Sequence, residues 1–221
     1  MQAPPTCAVI GAGPGIGLSV ARRFGKEGHR VALLARRAGP LEEHRAKLAD
    51  AGIEAAAFTC DAGRPDDVAR ALGEVQGRLG APSVLVYNAM AFSQGPPSKV
   101  PLDTLVDDFR VNVGGALAAA QAVLPGMRAA GRGTILITGG GLALDPYPQF
   151  ASLAVGKAGV RSIAFSLAKE LAPENIHVAT VTVCGFVKPG TPFDPDLIAE
   201  VYWTLANEPK ESWRTEVQFR G

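Results

Sequence analysis

The sequence predicts an α/β fold, a doubly wound parallel sheet of about seven strands with helices on both faces. Short apolar runs alternate with longer segments of helical periodicity along the whole chain. Several of the runs are continuously apolar, as strands covered on both faces are. A glycine-rich turn, IGAGPGIG, joins the first run to the first helical segment.

The strand-like runs are CAVI (7–10), RVALLA (30–35), AAAFTC (55–60), SVLVYN (83–88), GTILIT (133–138), HVATVTV (177–183) and a weaker RTEVQF (214–219). Helical segments are expected near 15–27, 40–51, 65–79, 102–130 and 151–172, with a short one near 195–206. No repeat or low-complexity tract interrupts this alternation, so residues 1–221 are expected to form a single dinucleotide-binding domain. The Pro-rich stretch GPPSKVP (95–101) reads as a loop at the edge of a ligand cleft.

Composition narrows the partners. Twenty-two Lys and Arg against 21 Asp and Glu give a net charge of +1, too little for a field that gathers nucleic acid or coats an anionic membrane. The expected partner is a small-molecule substrate. Cys7, Cys60 and Cys184 are scattered and odd in number, which suggests neither a disulfide framework nor a zinc site. No metal is expected, because His, Cys and carboxylates do not cluster. The start, MQAPPTCAVIGAG, lacks a leader pattern, and no apolar run approaches a membrane span, so a cytoplasmic protein is expected.

The turn has the context that a dinucleotide site of the Rossmann type requires: a strand before it and a helix after it. Its spacing is G-x-x-x-G-x-G, with Gly11, Gly15 and Gly17; Ile16 breaks the G-x-G-x-x-G form. The backbone of Gly11, Gly13, Gly15, Ile16 and Gly17 is expected to cradle a pyrophosphate at the helix N-terminus. An NAD site usually carries an acidic residue at the end of the second strand. Here Ala35 stands in that region, followed by Arg36 and Arg37, whose guanidinium forks suit a 2′-phosphate. NADP(H) is therefore expected in preference to NAD(H).

At this point the sequence resembles the short-chain dehydrogenase/reductase family over nearly its whole length. The glycine spacing, Cys60-Asp61, Tyr87-Asn88-Ala89-Met90, VNVGG, Lys157 and CGFVKPGTP carry the resemblance. It implies that Asp61 faces the adenine, Asn88 stabilises the central sheet and Asn112 is the active-site Asn. Gly185 and Val187 would border the cofactor, with Cys184 in place of a proline. Lys157 would bond the ribose hydroxyls. The family's reaction moves hydride between nicotinamide and a carbonyl or alcohol, with a Tyr as acid and a Ser that steadies the substrate oxygen. Those two positions hold Leu153 and Gly140.

The catalytic candidates are thus Asn112, Lys157 and Tyr147, the last in the loop that would border the nicotinamide. A packing or substrate-wall role for Tyr147 is the competing reading. Thr138 and Ser152 offer hydroxyls, with strand and cap roles as the default, and Tyr87 reads as packing. His29, His44 and His177 read as surface or turn residues away from the cleft. The leading function is an NADP(H)-dependent oxidoreductase of small carbonyls, imines or enones with an altered proton relay. The alternatives are a non-redox dehydratase, cyclase or epimerase, or an inert NADP-binding regulatory or assembly subunit. The resemblance also implies a homodimer or homotetramer.

Overall fold

In strands covered on both sides, successive side chains enter opposite layers of core, and both must be apolar. The first strand, β1 (Thr6–Ile10), follows this rule: Ala8 and Ile10 face one apolar cluster, and Cys7 and Val9 face the other. The computed structural model describes residues 3–221; Met1 and Gln2, part of the segment read for a leader, lie outside the described residues.

β2 (Arg30–Ala35), β3 (Ala55–Thr59), β4 (Pro82–Tyr87), β5 (Gly133–Gly140), β6 (Ile176–Val183) and β7 (Glu216–Phe219) complete a seven-stranded sheet. The order is β3-β2-β1-β4-β5-β6-β7, and every pairing is parallel. The chain reverses its direction of winding between β1 and β4, which opens a crevice at their carboxyl ends. α1 (Ile16–Lys26), α2 (Ala38–Asp50) and α7 (Pro195–Ala206) cover one face. α3 (Pro65–Leu79), α5 (Gly115–Ala130) and α6 (Ala151–Leu171) cover the other.

The structure corrects three expectations. The segment 102–130 is not one continuous α-helix. α4 (Leu102–Phe109) is followed by a π-helical stretch, Arg110–Gly114, before α5 begins. A π turn carries one residue more than an α turn, and it leaves no mark in an apolar periodicity this short. β5 runs on through Gly139 and Gly140 because both pair with β6, although glycine is a weak strand former. The histidines are not surface residues as a group. His44 shares the inward stripe Leu41–His44–Leu48 and is buried. His177 is buried and stacks on Trp213, with ring centroids 4.7 Å apart, while its Nε2–H donates to the Arg214 carbonyl at 3.0 Å. His29 is partly covered by edge contacts to Phe24 and Trp203, and burial lowers its pKa.

Candidate functional site

The glycine turn is shaped by contacts that forbid side chains. Gly11 has φ +86°, and a Cβ there would come within 2.6 Å of the Asn88 carbonyl carbon. Gly17 packs against the Gly11 carbonyl and would place a Cβ 3.0 Å from the Ala12 Cα. Gly15 has φ +102° and sits at the N-cap of α1. At Gly13, as at Gly15, an added Cβ would meet nothing within 4 Å, so this side of the turn is open. Just inside the helix, Ile16 and Gly17 belong to the first turn, whose N–H groups have no intrahelical acceptor. A bare backbone beside a helix N-terminus fits a phosphate group.

The Gly11 and Ala12 amides donate to the Leu34 carbonyl at 2.8 and 3.2 Å, which fastens the turn to the end of β2. Arg36 and Arg37 come immediately after that end. Both are exposed, and neither guanidinium forms an ion pair among the described residues. Across β3, the Asp61 backbone N–H donates to the Asp67 carboxylate at 2.7 Å, while Asp61 Oδ1 accepts from Gly63 N–H at 3.0 Å. The Asp61 N–H, with Arg70 next, holds the Asp67 carboxyl below its ordinary range. Burial pushes the neighbouring Cys60 thiol up to about 11, so it stays protonated.

Asn88 ties the turn to the middle of the sheet. Its Nδ2 donates to the Gly11 carbonyl at 2.9 Å, and its Oδ1 accepts from Thr138 Oγ1 at 2.8 Å. Since Thr138 has a single hydroxyl proton and gives it to Asn88, Tyr202 on α7 must donate to Thr138, at 2.6 Å. A directed chain results, Tyr202 to Thr138 to Asn88 to Gly11. Thr138 has the strand role expected by default, paired with Val181 of β6, and its hydroxyl adds the middle link of this chain. The spacing Ile198–Tyr202–Leu205 on α7 foretells a buried Tyr202, but its hydroxyl partner lies far away in sequence.

Lys157 lies below the carboxyl end of β5. It is 8% exposed, and its Nζ donates to the Thr138 carbonyl at 2.8 Å. Burial lowers its pKa to about 8. A Cβ on Gly140 would sit 3.3 Å from the Lys157 stem, so the two positions adjoin. Leu153 precedes Lys157 by four residues, on the same face of α6.

Asn112 is buried within the π-helical stretch. Its Oδ1 accepts from Ala91 N–H at 3.0 Å, and its Nδ2 donates to the Ala91 carbonyl at 2.7 Å. The side chain thus holds the loop after β4. It can do so because Gly156 has no Cβ, which would fall 2.6 Å from the Asn112 amide nitrogen. Ser152 acts on the same loop and not as a helix cap, since it exchanges hydrogen bonds with Ser93 N–H and Ser93 carbonyl at 3.0 and 3.2 Å. Tyr87 is buried, and its hydroxyl donates to the Val111 carbonyl.

Tyr147 is 58% exposed, with its ring against Phe150. It lines an apolar hollow of about 340 Å³ with Pro97, Val100, Ala151 and Val155. Ala151 and Val155 stand about half a turn around α6 from Leu153 and Lys157, so the hollow opens on another side of the helix. The structure does not bring Tyr147 and Lys157 together. After β6, the Cys184 amide donates to the Phe219 carbonyl at 2.9 Å. Gly185 is pressed against the Phe193 ring, which a Cβ would meet at 2.5 Å, and Val187 is exposed beyond it.

Comparison with known proteins agrees with this architecture. Residues 5–198 match the family model for short chain dehydrogenase. A 3-oxoacyl-[acyl-carrier-protein] reductase of Bos taurus is 30% identical over 181 residues, covering 82% of this chain and 75% of that protein. The crystal structure of a short-chain dehydrogenase from Rhodopseudomonas palustris superimposes with a TM-score of 0.89 at 30% identity, covering 98% of both chains. A metagenomic short-chain oxidoreductase solved in complex with NADP gives 0.90 at 29% identity, over 98% of this chain and 97% of that one. The chain therefore belongs to the short chain dehydrogenase family, whose members are oxidoreductases that bind nicotinamide cofactors.

Proposed function

We propose that the chain is an NADP(H)-dependent oxidoreductase that moves hydride to or from a small carbonyl, imine or enone with an altered proton relay. The observation that carries this reading is the pair of unpaired guanidinium groups, Arg36 and Arg37, just after the strand whose Leu34 carbonyl holds the glycine turn. Such forks match a 2′-phosphate in charge and geometry. The similarity to a short-chain oxidoreductase solved with NADP supports it. On this reading residues 1–221 act as one dinucleotide-binding domain.

When bound, the nicotinamide supplies or takes up the hydride. The backbone from Gly11 to Gly17 would hold the pyrophosphate, and Asp61 would face the adenine. Lys157 would donate to the ribose hydroxyls, and Gly185 and Val187 would border the cofactor. Asn112 fixes the loop after β4 through Ala91. Tyr147 serves as a wall of the neighbouring hollow. With no hydroxyl at 140 or 153, Lys157 is the protonated side chain at the floor of the cleft. Loss of positioned acid help slows reduction by about 10²–10⁴ without forbidding hydride transfer.

Leu153 and Gly140 favour one further reading, an NADP-binding subunit without turnover. Titration of NADPH and NADH by cofactor fluorescence tests the first step. NADPH is expected to bind at least about tenfold more tightly, and Arg36→Ala with Arg37→Ala to erase the difference. Equal affinities overturn the preference, and no binding overturns the proposal. NADPH consumption across a panel of carbonyls and imines then separates the enzyme from the inert subunit.

Self-association as a homodimer or homotetramer belongs to the same proposal. Leu102, Val106 and Phe109 on α4, Leu117 on α5 and Val155 on α6 remain exposed on one helical layer. A cytoplasmic setting accords with three free cysteines.

A further inference from the structure

Histidine is the side chain whose ordinary charge change falls nearest to neutral pH, and a partly buried one depends on the protein for its partners. His29 occupies the turn between α1 and β2. Its ring meets Phe24 of α1 edge to face, with centroids 5.3 Å apart, and Trp203 of α7 in the same manner at 5.9 Å. Phe24 and Trp203 meet each other at 5.2 Å, so three rings close on one another between the two helices. The Nδ1 atom of His29 is buried and has no hydrogen-bond partner. A neutral ring can carry its proton on Nε2 and leave Nδ1 bare. The imidazolium must place an N–H on both nitrogens, and the one on Nδ1 has no acceptor.

The charged groups around the ring come from three elements. On α1, Glu27 draws a proton towards His29, and Arg23 lies over the Trp203 ring at 4.7 Å. Arg23 is itself paired with Glu27 and with Glu200 of α7. At the start of β2, Arg30 donates to the Pro4 carbonyl at 3.0 Å. Burial outweighs the pull of Glu27 and holds the His29 pKa below its ordinary 6.5. The ion pairs that tie α7 to α1 are Arg22–Asp196 and Arg23–Glu200, whose carboxylate side chains are 61% and 56% exposed, so they hold weakly. The ring cluster is thus the firm contact at this end of α7. Trp203 also follows Tyr202, whose hydroxyl heads the chain through Thr138 and Asn88 to Gly11.

We infer that His29 is an acid-sensitive latch: neutral, it seats Trp203 and the end of α7 against α1; protonated, it releases them and slackens the chain from Tyr202 to the glycine turn. The latch itself needs no ligand, and only its effect on dinucleotide binding rests on the NADP(H) reading above. Because the unfolded chain takes the proton more readily, the hold weakens as pH falls below 6.5. The test uses the full chain with Trp213→Phe, which leaves Trp203 as the single tryptophan. Acrylamide quenching of Trp203 is expected to rise at least about twofold from about pH 7.5 to about pH 5, while far-ultraviolet circular dichroism holds. His29→Phe and His29→Gln are each expected to make the quenching independent of pH. Over the same range, NADP⁺ affinity is expected to fall about threefold to tenfold further in the natural chain than in His29→Phe. The phosphate of the cofactor, which titrates at about pH 6, affects both chains alike. Quenching that does not change, a rise that survives both substitutions, or loss of the dichroism signal over this range overturns the latch. Parallel affinity profiles in the two chains overturn its reach to the glycine turn. Failure of NADP⁺ to bind at any pH overturns the cofactor reading instead, and the Trp203 result still decides the latch.

Discussion

Thr138 shows how one hydroxyl can decide the shape of a backbone turn two strands away. Valine at this position keeps the volume and removes both hydrogen bonds, leaving Tyr202 Oη and Asn88 Oδ1 without partners in a buried place. Thr138→Val is expected to cost about 2–3 kcal/mol in urea unfolding. Tyr202→Phe, which removes only the outer link, is expected to cost about 1 kcal/mol. Equal effects would mean that the chain is not directed through Thr138.

Lys157 gives a pH-dependent prediction of definite sign. Burial depresses its pKa from 10.5 to about 8, so the folded state binds the proton less well than the unfolded state. Below pH 8 the ammonium is charged in both states and burial costs stability, by about 3 kcal/mol. Between pH 8 and 10.5 the unfolded chain holds more protons, so this cost is relieved as pH rises. The unfolding free energy of Lys157→Met minus that of the natural chain is therefore expected to fall over this window. A difference that is flat in pH contradicts a buried, depressed lysine. Restoring an acid is a separate matter. Leu153→Tyr is expected to raise carbonyl reduction by at least about tenfold, towards the 10²–10⁴ that a positioned acid supplies. Gly140→Ser requires the Lys157 stem to yield by a few tenths of an ångström, because its Cβ would lie at 3.3 Å. No gain from either change, alone or together, means that the pocket itself has been remade.

Helices differ in how much their glycines matter. Gly73 and Gly77 lie on the exposed side of α3, where an added Cβ would meet nothing within 4 Å beyond the helix itself, and alanine at each is expected to add about 0.5–1 kcal/mol. Gly156 on α6 lies against Asn112, and Gly156→Ala is expected to cost about 1–3 kcal/mol and to loosen the loop after β4. Calorimetric unfolding of the three variants checks both signs. What was legible at this scale follows the same division. Apolar runs and helical stripes place strands and helices to within a residue or two, because each residue's burial depends on its own element. The π-helical stretch at Asn112 was not legible, because it is held by Ala91, which lies 21 residues away. Ser152 escaped for a similar reason: its partner Ser93 belongs to another loop. The glycine spacing, Lys157 and Asn88 were legible as motifs, but the link from Asn88 through Thr138 to Tyr202 spans three distant segments.

For the whole molecule, the exposed apolar layer on α4, α5 and α6 predicts self-association. Sedimentation velocity is expected to show a dimer or tetramer, and Val155→Glu with Leu102→Glu to shift it towards monomer. Met90 and Phe186 lie on the loops after β4 and β6 and not on that layer, so their substitution is expected to leave the oligomer unchanged. A monomer at all concentrations would remove the helical layer as an interface. No helix among the described residues is long and apolar enough to cross a membrane.

The Asn88 bridge has a kinetic consequence. It joins the turn after β1 to the end of β5 across the point where the winding reverses, so the two halves of the crevice are stitched together before any ligand arrives. The conformational entropy of the glycine turn is lost during folding and not at each encounter with a dinucleotide. Recognition then becomes a near-rigid fit, in which differences in affinity appear mainly as differences in residence time. The Gly11 amide, closed onto Leu34 in that prearranged state, should exchange its hydrogen as slowly without dinucleotide as with it.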